Sequence, residues 1–309
     1  MKTPFRLVTV VLVASLALTL SGPVPAGEEP GSPAPSIGLA LGSGGATGLA
    51  HIAMLETLDS MDIKPTLIAG SSIGAIIGAL YASGLSGSEI RKIFDDFSGS
   101  EFDMVSELAW GDADLGLSSL LRTDLDNGGL LSSDGLMAFL DAKIEADNFE
   151  DLDIPLKIVA TEFWTGEERV LDSGELLPAI QASMAVPGLF SPEARDGELL
   201  IDGGSVNPLP FDLLTDACDI VIAVDVSGSR TQREPGDTGP TDVIFNSFEI
   251  MQQAITAEKM KHIQPDIYIR PDVRDIRLLH FNRIEEILEQ AAPAAETMRR
   301  ELEAALAEK

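Results

Sequence analysis

The chain has 309 residues, 45% of them hydrophobic, and sets 50 Asp and Glu against 21 Lys and Arg for a net charge of −29. That much apolar side chain fills one large core or two modest ones, and one extended α/β domain is the simpler reading. The acid excess excludes a nucleic-acid partner and opposes bulk anionic lipid, because phosphate contacts need clustered Lys and Arg.

In chain order, Met1 to Arg6 is basic, Leu7 to Leu20 is an uncharged, predominantly apolar run, and Val24-Pro25-Ala26 offers small residues at a cleavage point. Residues 1–26 therefore read as a secretory signal peptide, and the chain as exported, either periplasmic or secreted. An uncleaved membrane anchor fits less well, because the apolar run is shorter than the ~20 residues that a span needs. Losing Lys2 and Arg6 with the leader takes the net charge from −29 to −31, which suits a protein that stays soluble in high salt. The single Cys218 forbids an intrachain disulfide, and its place beside the apolar run Ile220 to Val224 predicts a buried, unreactive thiol.

Residues 27–36 read as a Gly/Pro/Ser linker, and the domain proper runs from 37 to 270. Ile37 to Leu41 predicts a first strand, followed by the glycine-rich loop Gly42 to Gly48 and a helix with Leu49, Ile52, Leu55 and Leu58 at helical spacing. Leu67 to Gly70 predicts a second buried strand. It leads through Gly70-Ser71-Ser72-Ile73-Gly74 into a small-residue helix, which places Ser72 on a sharp strand-to-helix turn. The glycines let strand and helix approach closely, so the hydroxyl is lifted clear near a helix N-terminus.

Further helices are predicted from Ser86 to Phe97 and from Ser133 to Ile144, with an irregular stretch at 98–131 that suits a lid or a surface excursion. Leu156 to Ala160, Ile220 to Val224 and Ile267 to Ile269 predict core strands, and Arg169 to Leu171 an edge strand. Asp242 to Lys261 fits a helix. Residues 271–309 form a C-terminal helical extension, with an interruption expected near Pro293.

Three chemistries compete for the Gly42–Gly48 loop. A dinucleotide site wants Gly-x-Gly-x-x-Gly, but Thr47 stands at the third position; a phosphate P-loop wants a Gly-Lys-Ser/Thr ending, which is missing. An oxyanion hole serving Ser72, about 25 residues further on in a neighbouring parallel strand, accounts for both loops together. Asp202, at the end of the run Leu199-Leu200-Ile201, is either a turn former or a carboxylate aimed at Ser72. His51 reads as a satisfied structural imidazole. A triad through His262 or His280 keeps the order of α/β-hydrolases, but neither residue has the glycine-rich setting of a loop shaped around a nucleophile. Without a histidine, Asp202 would take the serine proton, and the cleft must then desolvate it to raise its basicity.

Gly42 to Gly48 with His51-Ile52, the Gly70 to Gly74 elbow, Ala182-Ser183 with Pro187 to Pro192, and Asp202-Gly203-Gly204 together resemble the successive blocks of the bacterial patatin-like phospholipases, across about residues 37–225. The resemblance implies a three-layer α/β/α fold with a mainly parallel central sheet. It further implies a serine lipid acyl hydrolase (phospholipase, lysophospholipase or esterase) working without metal, cofactor or histidine. Carried over by position, Ser72 is the nucleophile and Asp202 the general base. The amides of Gly44, Gly45, Ala46 and Ile73 form the oxyanion hole, and Gly42, Gly48, Gly70, Gly74, Gly203 and Gly204 are the motif glycines. The implied partner is a lipid or acyl ester, with transient contact to a membrane surface. One departure stands out: the family usually has Arg or Lys where this chain has Thr47, which leaves a weakly active or non-catalytic lipid-binding protein as the alternative.

Overall fold

The computed structural model describes residues 34–98, 133–229 and 240–309. The expected signal peptide and all but the first residue of the irregular stretch at 98–131, expected as a lid or a surface excursion, lie outside the described residues, as does all but the last part of the linker. Residues Pro35–Lys309 make one compact unit.

Its centre is β1 (Ile37–Leu41), buried at every position and paired in parallel with β2 (Leu67–Ser71) on one side and β7 (Ile220–Val224) on the other. The continuous apolar composition of these strands follows from burial on both faces. β3 (Leu156–Glu162) joins β2 in parallel, and β8 (Ile267–Ile269) closes the far edge against β7. Three antiparallel strands complete the sheet: β4 (Glu168–Leu171) on β3, β6 (Glu198–Asp202) also on β3, and β5 (Glu193–Arg195) on β6. The sheet is thus mainly parallel, as expected.

Alternation along β1 divides the core. Ile37, Leu39 and Leu41 join the larger cluster, with α1 (Ala50–Ser60), α2 (Ile73–Ala82), α3 (Gly87–Ser98) and α7 (Ile284–Glu308). Ala40 faces the smaller one, formed with Leu209, Phe211 and Leu214 and flanked by Met260 and Ile263. The remaining helices are α4 (Asp134–Asp141), α5 (Leu176–Ser183) and α6 (Pro240–Lys259). Every residue of α2 is buried, which explains its run of Gly, Ala and Ile in place of an amphipathic pattern.

Two expectations are corrected. α7 runs unbroken through Pro293, because Ala291, Ala295, Met298 and Leu302 bury one continuous face and outweigh the hydrogen bond that proline cannot donate. Cys218 is half-buried, not fully enclosed, although burial still pushes its thiol upward and keeps it protonated.

The register at β3 positions the site. Val159 pairs with Ser71 of β2 and with Val170 of β4; the next residue, Ala160, pairs with Asp202 of β6 and with Arg169 of β4. Since β4 occupies one side at both positions, β2 and β6 lie on the other and end tip to tip.

Candidate active site

Ser72 follows β2 immediately and has φ +56° and ψ −122°, a conformation that costs an L-residue energy and persists only where its surroundings enforce it. Three contacts enforce it. A Cβ on Gly74 would overlap Leu41 O, and one on Gly70 would overlap Gly74 O, so β1, β2 and α2 meet at a separation that only glycine permits. The Ser72 amide donates to Ser183 Oγ (2.9 Å), which itself donates to Val159 O (2.6 Å). Although Ser72 stands at the helix N-cap, its hydroxyl caps nothing. It opens instead onto a cavity of about 50 Å³ lined by Gly45, Ile73, Ile76, Leu136, Met184 and Phe190, among other apolar residues.

Asp202 ends β6 and is fully buried. Its amide donates to Ala185 O (3.0 Å), its carbonyl accepts from Thr161 Oγ1 (2.9 Å), and Oδ1 accepts from the Gly204 amide (2.7 Å). Oδ2 is buried without a directed hydrogen bond. Burial pushes the carboxyl from 3.8 up to about 7, even though the neighbouring Ser72 hydroxyl and the Gly204 amide both favour the charged form. Turn former and aimed carboxylate are therefore both true of Asp202: one oxygen holds the turn and the other is left over. A Cβ on Gly203 would overlap Val159 O, which locks this turn against β3.

In the glycine-rich loop, the Gly42 amide donates to Val224 O (3.0 Å) and the Ser43 amide to Pro208 O (2.8 Å), while Gly45 has φ +61°. The amides of Gly44, Gly45 and Ile73 donate to no acceptor among the described residues. Ala46 is different. Its amide donates to Leu278 O (2.8 Å), so the expected role in an oxyanion hole is not available to it in this arrangement. Gly48 lies against the Ile73 side chain, bringing loop and elbow together.

Thr47 is buried, with its hydroxyl 2.7 Å from Gly44 O and 2.6 Å from Val226 O. It fastens the loop to the residues after β7 and brings no positive charge. His51 Nε2 contacts Gly42 O at 2.9 Å, and burial lowers its pKa to about 4. The ring is neutral, with its proton on Nε2 and its buried Nδ1 unpartnered, so it is only half satisfied. His262 is exposed beside Glu258 (3.5 Å), and His280 Nδ1 accepts from the Arg277 amide (3.2 Å). No histidine lines the cavity at Ser72.

Ser183 stands in the sequence as part of a motif, with nothing there to say that it supports the Ser72 backbone. The wall supplied by Leu278, Leu279 and Phe281 carried no sequence signal at all, because those residues come from the far end of the chain.

Comparison with known proteins identifies the family. A family model described as patatin-like phospholipase matches residues 39–215. The uncharacterized NTE family protein Rv1063c of Mycobacterium tuberculosis is 33% identical over 201 residues, covering 65% of this chain and 51% of that protein. Lysophospholipase NTE1 of Kluyveromyces lactis is 31% identical over 279 residues, 82% of this chain but 18% of that one. Among solved structures, VipD from Legionella pneumophila aligns with a TM-score of 0.46 at 14% identity, covering 85% of this chain and 67% of that one. The chain spans about half the length of its mycobacterial relatives and less than a fifth of the yeast protein. With the family model covering more than half of its residues, the chain belongs to the patatin-like phospholipase family.

Proposed function

We propose that this protein is a serine hydrolase of lipid acyl esters in which Ser72 is the nucleophile and Asp202 the general base. The observation that carries the reading is a buried Oδ2 without a directed hydrogen bond, on a carboxylate pushed up to about 7 that the neighbouring Ser72 hydroxyl nonetheless draws toward its charged form, while that strained serine caps no helix. Asp202 removes the hydroxyl proton as Ser72 Oγ attacks the ester carbonyl. The resulting oxyanion is met by the amides of Gly44, Gly45 and Ile73, with the positive end of α2 behind them. The tetrahedral intermediate collapses to an acyl-enzyme and expels the alcohol, which takes the proton from Asp202. Water activated by the same carboxylate then releases the acid.

The apolar cavity suits an acyl group, though at about 50 Å³ it holds only a short one as it stands, and a longer chain has to part its walls. The N-terminal apolar run supports export, and a lipid substrate implies passing contact with a membrane surface.

Labelling with a fluorophosphonate probe, followed by a panel of p-nitrophenyl and phospholipid esters, tests this reading. Ser72 is expected to label, and Ser72→Ala and Asp202→Asn each to lose at least ~10³-fold in kcat while staying folded. Retained turnover in either variant overturns the dyad. Loss of activity in His262→Ala or His280→Ala would favour a triad instead. A wild-type chain that binds lipid but never labels would be the non-catalytic protein that the uncharged Thr47 position leaves open.

A further inference from the structure

We propose that Gln252 is a positioning residue of this site, holding the glycine-rich loop and the Asp202 turn in register through Ser43. The inference rests on the hydrolase reading and adds a residue from outside the matched region 39–215.

α6 sorts its side chains against the usual preference. Val243, Ile244, Ile250 and Met251 are each more than half exposed, whereas Gln252 is 2% exposed. Glutamine rarely occupies a fully buried place, and an unpaired buried amide costs about 1–3 kcal/mol. Packing alone would favour an apolar residue there, so the amide has a polar task. Its Nε2 donates to Ser43 Oγ at 2.9 Å.

That contact sits where two halves of the site converge. A Cβ on Gly204 would overlap Gln252 Nε2 and lie 2.6 Å from Ser43 Oγ and 2.8 Å from Asp202 Oδ1. Three polar groups from separate parts of the chain thus crowd one glycine. Its amide is the donor to Asp202 Oδ1, the contact that leaves Oδ2 as the free oxygen. Ser43 directly precedes Gly44, whose amide faces the developing oxyanion in the mechanism above. By fixing Ser43 and confining Gly204, Gln252 keeps the amides and the base aimed at the same carbonyl.

Gln252→Met tests this, since methionine keeps the length and apolar contacts of the side chain but deletes the amide. Hydrolysis of a p-nitrophenyl ester and fluorophosphonate labelling are measured from about pH 5 to pH 9, alongside Tm. The expected result is a fall of about 10- to 100-fold in kcat and in labelling rate, with KM changed by less than about threefold. The midpoint of the pH profile moves upward, because a loosened Gly204 amide no longer favours the Asp202 carboxylate. Ser43→Ala gives the same defect, and the double variant is no worse than either single one, since both delete one contact.

Wild-type kcat and midpoint in Gln252→Met overturn the inference, as does a double variant whose loss is the product of the two single losses. If Gln252→Met does not fold, Ser43→Ala, which removes a single oxygen, is read by the same two measurements. A wild-type chain that never labels removes the hydrolase reading together with this one; a wild type that labels while the variants are unaffected removes this one alone.

Discussion

Ser71 and Asp202 stand opposite consecutive residues of one strand, Val159 and Ala160, and on the same side of it. A parallel strand and an antiparallel strand therefore deliver the residue after Ser71 and the carboxylate of Asp202 to one point. Asp202 is held by the sheet and Ser72 by the turn that follows directly from it, and this rigidity permits a carboxylate oxygen to stay buried without a directed hydrogen bond.

That burial sets a pH dependence. The folded-state pKa of Asp202, about 7, lies above its ordinary 3.8, so the group favours the fold fully below about pH 4 and that contribution is lost as pH rises to 7. Asn has no proton to lose and keeps an acceptor for the Gly204 amide. Thermal melts should show Asp202→Asn close to wild type near pH 4 and several degrees more stable at pH 8, at roughly 2–4 °C per kcal/mol. For the active wild type, kcat/KM should rise with pH and level off above about 7, because only the ionised base accepts the serine proton.

Ser72 pays for its geometry with strain at φ +56°. Glycine relieves that strain and alanine does not. Ser72→Gly should therefore unfold at higher denaturant than Ser72→Ala, by about 1 kcal/mol in chemical denaturation, with both inactive. Equal stability would mean that the turn is unstrained.

Ser183 joins the elbow to β3 through two hydrogen bonds, accepting from Ser72 N and donating to Val159 O. Ser183→Ala orphans both buried backbone groups, at an expected cost of about 1–3 kcal/mol in a denaturant titration. The labelling rate of Ser72 should fall as well, since the amide that fixes its backbone loses its acceptor.

Gly74→Ala is expected to be worse than either. The added methyl would overlap Leu41 O, a backbone atom of the central strand that cannot step aside. Soluble expression and Tm should both drop, by more than about 3 kcal/mol in stability. Gly188→Ala makes a fair comparison, because its Cβ meets nothing within 4 Å and only its φ of +79° opposes the change.

Local pattern was enough for most of the strands, though not for β5, and for the turn at Ser72. Short apolar runs defined β1, β2, β3 and β7, and the Gly70 to Gly74 spacing marked Ser72, because both signals reside in neighbouring residues whose backbone geometry is dictated locally. Order and spacing of the motifs also carried the family. What sequence could not supply were facts created by distant segments meeting. Leu278 captures the Ala46 amide, Ser183 supports Ser72 across 111 positions, and Gln252 reaches Ser43 across 209. The raised basicity of Asp202 belongs to the same group: its own neighbours describe an ordinary turn aspartate, and only the closing of the core around it removes the water that would have kept it a weak base.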